Sequence, residues 1–200
     1  MHAILTLVFI AALVLKLLHL PYHTVLLLAV AAIGIGTSLS GLRSDRKSEA
    51  WCRLAFWTWL LHLVALLKLF PFRTATLVLA VAITVVAVFM AFRHRPLTNA
   101  LRPLAGAFIA VMLVMAVPTA TRFHFTNLRF SLERDTDPGT WDKYSFLLSR
   151  EGRKTEALAA NDAALAAAAG AAPALQDLME RRTLIEQDAW DRYVPLGHGQ

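Results

Sequence analysis

Acidic residues are nearly missing from the first 121 positions of this 200-residue chain: Asp45 and Glu49 stand against ten Lys and Arg, a net of +8. The remainder holds ten Lys and Arg and twelve acids, a net of −2. A basic chain can bind nucleic acid, but these cations lie in short loops between apolar runs. With no basic helix or aromatic-basic sheet pattern, no nucleic-acid partner is expected. Cysteine is as scarce. Cys52 alone excludes a disulfide framework and a thiolate metal cluster. Beside Trp51 and Arg53 it reads as a free structural thiol, the alternative being a reactive or acylated one. No Ser-His-Asp, G-x-S-x-G, H-E-x-x-H or P-loop string appears. Neither an enzyme activity nor a resident cofactor or metal is expected.

What the chain has instead is apolar length. Its hydrophobic fraction is 57%, and its mean hydropathy of +0.53 exceeds that of an ordinary soluble domain. About 20 apolar residues carry a helix across a bilayer. Five runs qualify, near 3–20, 22–41, 51–70, 72–92 and 103–120. The first lacks a basic start and an A-x-A site and leads straight into the second, so it is read as a span rather than a signal peptide. Pro21 and Pro71 each fall between two runs, where a proline ends a helix cheaply. The expected fold is therefore all-α: a polytopic membrane bundle over 1–120, built from two hairpins and a lone fifth span. Arg43, Arg46, Lys47 and Arg53 crowd one loop, and Arg93, Arg95 and Arg102 another. The alternate turns hold only Arg73, with Lys16 and Lys68 nearby. The excess of positive charge marks the cytoplasmic side. It puts the N-terminus in the cytoplasm, the chain in the inner membrane among lipid, and the tail after about residue 121 outside.

The two hairpins echo each other. Pro21-Tyr22-His23-Thr24 matches Pro71-Phe72-Arg73-Thr74 at an offset of 50, as Arg43 matches Arg93. Lys16 and Lys68 precede the turns at an offset of 52. Such a period reads as a parallel duplication, the alternative being convergent hairpin chemistry in an Ala/Leu/Val background. Lys16, His19, His23, Lys68 and Arg73 form a basic outer rim. Long stems let such groups snorkel to the interface as anchors; the sharper reading is a rim that binds a lipid phosphate, a quinone carbonyl or a partner's acid.

Lys16, His19 and Pro21, in "KLLHLP", resemble the membrane hairpin of the stator subunit of the gliding-motility and type IX secretion motor, over about 40 residues. That family's motor function implies an intramembrane glutamate, whereas none of the five runs here contains Asp or Glu. Tyr22 also stands where the family usually has glycine. The resemblance implies a similar hairpin type, and the motor function does not transfer.

His62 lies in mid-run and reads as a hydrogen-bonded packing histidine; paired with His19 it could instead ligate a haem. Trp57 and Trp59 read as interfacial belt residues. Ala32, Gly36 and Ser40, spaced by four, form a small face for close helix packing.

After a linker over 121–137, whose Phe123, Phe125 and Phe130 are placed on the membrane surface, a helical tail is expected over 138–195. Its breaks are Asp137-Pro138-Gly139, Gly152, Gly170 and Pro195, with Pro173 opening the last helix, 174–192. Trp141, Tyr144, Leu148, Gly152, Ala157 and Ala164 resemble one tetratricopeptide (TPR) repeat, in which small alanines let one helix nest against the aromatics of the other. The resemblance implies docking, with the last helix as a cap or a partner completing the stack; the alternative is an inert appendage. The function expected is a non-catalytic accessory or scaffold subunit that binds other membrane subunits, or a second copy. Its rival is a carrier or cofactor- and quinone-binding subunit using His62, His19 and Lys16.

Overall fold

The computed structural model describes residues 2–17, 23–43, 47–67, 71–93, 98–129, 137–169 and 172–192. Every regular element among them is helical. The chain divides into two compact units, one ending at Val117 and the other built from the elements after Pro118.

The first unit contains α1 (His2–Leu17), α2 (His23–Gly41), α3 (Lys47–Leu67), α4 (Arg73–Arg93) and α5 (Thr98–Ala116). α4 begins two residues after Pro71, which lies in the turn before it and has no N–H to continue a preceding helix. α2, α3 and α4 are long and apolar enough to cross a membrane. α1, with 16 residues, rises only about 24 Å, short of the roughly 30 Å of a hydrocarbon core. α5 qualifies only together with the helical segment that follows the break at Val117-Pro118. Among the described residues there are thus three to four candidate spans against the five expected: the described part of α1 is too short to count, and Pro118 interrupts the last run.

α3 is the hub. It packs against α2, α4 and α5, and 72% of its apolar window is buried, against 28% for α2 and 17% for α4. It is also the least apolar of the three, and α4, the most apolar, is the most exposed. Val25, Ile33, Val78, Val85, Phe89 and Leu113 are among many large apolar side chains on the outer faces of α2, α4 and α5. Polar groups such as Thr58, His62 and Ser38 are enclosed.

The second unit contains α6 (Thr119–Phe123) with a π-helical turn (His124–Leu128), then α7 (Pro138–Arg150), α8 (Lys154–Ala167) and α9 (Ala172–Glu186). Asp137 caps α7, accepting from the amides of Gly139 (3.0 Å) and Thr140 (3.3 Å), with Pro138 at the first helical position. α7 ends in a Schellman motif: Gly152 at φ +74° donates to Ser149 O and Arg153 N to Leu148 O, both at 3.0 Å. The linker expected over 121–137 is thus helical up to Leu128. α6, which no side chain of its own caps, receives a cap from Glu151: the Ala120 amide donates to Glu151 Oε1 at 2.9 Å. Phe123, expected on the membrane surface, is buried beneath the Lys143 ammonium at 5.9 Å. Phe125 is exposed, with Arg129 over its ring, and Phe130 lies outside the described residues.

Candidate functional site

The polar chemistry of the first unit is concentrated where α3 meets its neighbours. On α4, Thr76, Ala80, Thr84, Ala87 and Ala91 recur at helical spacing and make a narrow face, with Ala80 and Ala87 fully buried. Two relays cross this seam. The Trp59 Nε1–H donates to Thr84 Oγ1 (2.9 Å), which donates to Ala80 O (2.7 Å). Thr76 Oγ1 likewise donates to Arg73 O (2.8 Å), so its one hydrogen is committed. His62, 2.9 Å away through Nδ1, must then be the donor. In the neutral ring the proton then sits on Nδ1 and Nε2 is an acceptor, buried and without a hydrogen-bond partner among the described residues. The rings of Trp59 and His62 meet edge to face at 6.0 Å, and Phe108 of α5 meets Trp59 at 5.1 Å.

Trp57 fills the opposite flank. Its indole lies 2.2 Å from where a Cβ on Gly34 would stand, so α2 can approach α3 only because residue 34 has no side chain. Ser38, one turn on, donates to Gly34 O at 2.7 Å. Trp57 also meets Phe9 of α1 edge to face at 6.3 Å, and its Nε1–H donates to His2 Nδ1 at 3.3 Å. Trp57 and Trp59 are therefore core residues, 0% and 1% exposed, rather than belt residues. An indole in a helix bundle is satisfied when its N–H finds a partner, and both do.

The small face expected at Ala32, Gly36 and Ser40 lies on the exposed side of α2, and a Cβ on Gly36 would meet nothing within 4 Å. The face used inside the chain is Leu27, Ala31, Gly34 and Ser38. Of the basic rim, Arg73 is exposed and His23 half-buried, while His19 and Lys68 lie outside the described residues. Lys16, expected to snorkel outward, is instead 2% exposed. An ammonium so enclosed requires compensating neighbours, since burying it unpaired is expensive. Cys52 is a buried free thiol. No group of three or more metal-ligating side chains exists among the described residues.

In the second unit, Leu148, Ala157 and Ala164 are fully buried and Trp141 and Tyr144 half-buried. Ser145 donates to Ala157 O at 2.7 Å, which α7 and α8 allow by approaching at an alanine. Trp141 packs on Ala164, Ala168 and Leu178, the core between α8 and α9. Tyr144 stacks near His124 at 5.1 Å, and burial raises its hydroxyl above the ordinary value. Sequence reading missed Asp142, 0% exposed and paired with Arg181 of α9 at 3.2 Å, and Asn161, which donates to Leu178 O at 3.2 Å. It also missed Gly34, Thr76 and Thr84. The recurrence of small residues along α4 was a signal available for the last two.

No protein-family description, curated protein or solved structure matches the chain.

Proposed function

We propose that this chain is a multi-pass membrane protein without a catalytic role, an accessory or scaffold subunit that holds partners through its outer helix faces and its helical tail. The supporting observation is the inverted distribution of polarity in α1–α5: the least apolar helix is the most buried, and apolar side chains stand outside. Water would penalise such a surface, whereas lipid does not. The arrangement of charge agrees with a cytoplasmic N-terminus. Gly34 pairs with Trp57, Ala50 stands near Gly41, and Thr84 and Thr76 pair with Trp59 and His62, so α2 and α4 run antiparallel to α3. Arg43, Lys47, Arg53, Arg93 and Arg102 then share one end, which faces the cytoplasm. Ala32, Gly36 and Ser40 on exposed α2 offer a close-packing face to a partner helix or a second copy. The α7–α8 hairpin, TPR-like in its small-residue spacing, supplies the soluble docking element.

The test is purification in mild detergent from the native host, with identification of co-purifying chains. A stoichiometric membrane partner that disappears on deletion of 138–200 supports the scaffold. The orphaned His62 Nε2 favours a second reading, a carrier or cofactor-binding subunit. A homo-oligomer carrying a chromophore that is lost in His62→Ala would establish that reading instead.

A further inference from the structure

α1 stands off from α3, touching it through Phe9 and His2, and a cleft of about 630 Å³ opens between α1, α3 and α5. Its apolar lining includes Phe9, Phe56, Leu60 and Ala107. Its polar side chains His2, Thr6, Glu49 and Arg53 come from the first two turns of α1 and α3 and gather at one end. That end is the one shared by Arg43, Lys47, Arg93 and Arg102. Among the described residues it holds five cations against the single acid Glu49.

We infer that this cleft takes one acyl chain of an anionic phospholipid from the surrounding bilayer, with the lipid phosphate held by Arg53 and His2. The inference rests on the membrane reading above. Size decides against a protein occupant. A helix about 10 Å wide rising 1.5 Å per residue fills roughly 120 Å³ per residue, so the cleft would hold only about five residues of a partner's span. It falls instead within the ~300–1,000 Å³ of small-ligand sites lined by apolar groups with a few polar ones. The donors are in place. Because His2 Nδ1 accepts from the Trp57 indole, the neutral ring carries its proton on Nε2, which can donate to a phosphate oxygen. Arg53 pairs with Glu49 through one Nη at 3.0 Å, and its other N–H groups remain to bind a second anion. The surplus of positive charge at this end selects an anionic headgroup over a zwitterionic one.

The full chain, delipidated in detergent, is titrated with phosphatidylglycerol or phosphatidylcholine of the same acyl length and bound lipid is counted by native mass spectrometry. One phosphatidylglycerol should be retained at about tenfold higher affinity than phosphatidylcholine, and Arg53→Gln should bring the two to near parity. Gly106→Leu should remove binding of both. Gly106 lines the cleft and a Cβ there meets nothing within 4 Å, so there is room to begin a larger side chain at this wall. Val78→Trp adds bulk on the exposed face of α4 and should change nothing. Equal retention of the two lipids, or undiminished retention in Gly106→Leu, overturns the inference. Alkaline carbonate extraction separates the two levels: release of the chain from membranes overturns the membrane reading, whereas a retained chain without lipid preference overturns the cleft alone.

Discussion

At the scale of single residues, two glycines of α2 two positions apart do opposite things. Gly34 lies under the Trp57 indole, with 2.2 Å between the place a methyl would occupy and the ring, whereas Gly36 faces open space. Gly34→Ala should therefore force α2 and α3 apart, at a cost of about 1–3 kcal/mol, since an extra methyl in a packed core displaces its neighbours. Gly36→Ala should be neutral or slightly stabilising in the isolated chain, by up to about 1 kcal/mol, because alanine is the better helix former. Melting temperatures of the two variants in the same detergent check this, and equal losses would contradict it. The sequence shows small residues at both registers, 31/34/38 and 32/36/40. Nothing in the order of residues says which register faces the tryptophan.

At the scale of elements, α7 and α9 end in the same way with different residues. Asp188 sits at φ +57°, and the amides of Asp188 and Ala189 return to Ile185 O (3.1 Å) and Leu184 O (2.8 Å), the same pattern that Gly152 closes after α7. That conformation is costly for a non-glycine residue, and the exposed Lys154–Asp188 pair at 3.1 Å offsets little of the cost. Asp188→Gly should then stabilise the folded chain by about 0.5–1 kcal/mol, and Gly152→Ala should destabilise it by about 1 kcal/mol or more, both read by denaturant unfolding. The stop at Gly152 is legible in the sequence because glycine marks it. The stop at 186–188 is not, and the pattern predicts a last helix running on to 192, because an aspartate announces a left-handed turn far less strongly than glycine does.

The start of α8 carries a pH-dependent pair. Arg153 grips Glu156 with two hydrogen bonds, Nε to Oε1 at 2.8 Å and Nη2 to Oε2 at 2.6 Å, and the hydrogen bond from Arg153 holds the carboxyl below its ordinary 4.5. A carboxyl with a lowered folded-state value contributes stability above its unfolded value and loses it as the pH falls through the folded one. Glu156→Gln should therefore flatten the acid limb of the stability curve below about pH 4.5 and leave it parallel to the parent at neutral pH. An unchanged acid limb would show that the fork contributes nothing to folding. Glu156 is exposed and Arg153 partly so, and the difference in slope is therefore small.

At the scale of the whole molecule, the second unit closes on a buried ion pair. Asp142 is 0% exposed and Arg181 13%, and they join α7 to α9. Removing Arg181 takes away the cation that faces a fully buried carboxylate, so Arg181→Ala should cost about 3–5 kcal/mol. The double change Asp142→Leu with Arg181→Met should recover most of that loss, since apolar residues of similar volume carry no desolvation penalty. Unfolding of the full chain followed by circular dichroism measures both, and a double variant as weak as the single would show that the pair does more than neutralise itself.

Composition and the linear order of residues were enough to determine that the chain is helical, that its basic groups cluster between apolar runs, and where prolines and glycines interrupt it. Those properties are local: they depend on backbone chemistry and on the residues within a turn or two. The tertiary structure alone decided that α3 is the hub, that Trp57 and Trp59 turn inward, and that Glu151 caps α6 from 31 residues away. Apolar residues surround α2, α3 and α4 on every side, so no stripe marks the face that will be buried. The choice falls to pairwise fit, an indole against a glycine and a ring N–H against a threonine, which exists only once the helices are side by side.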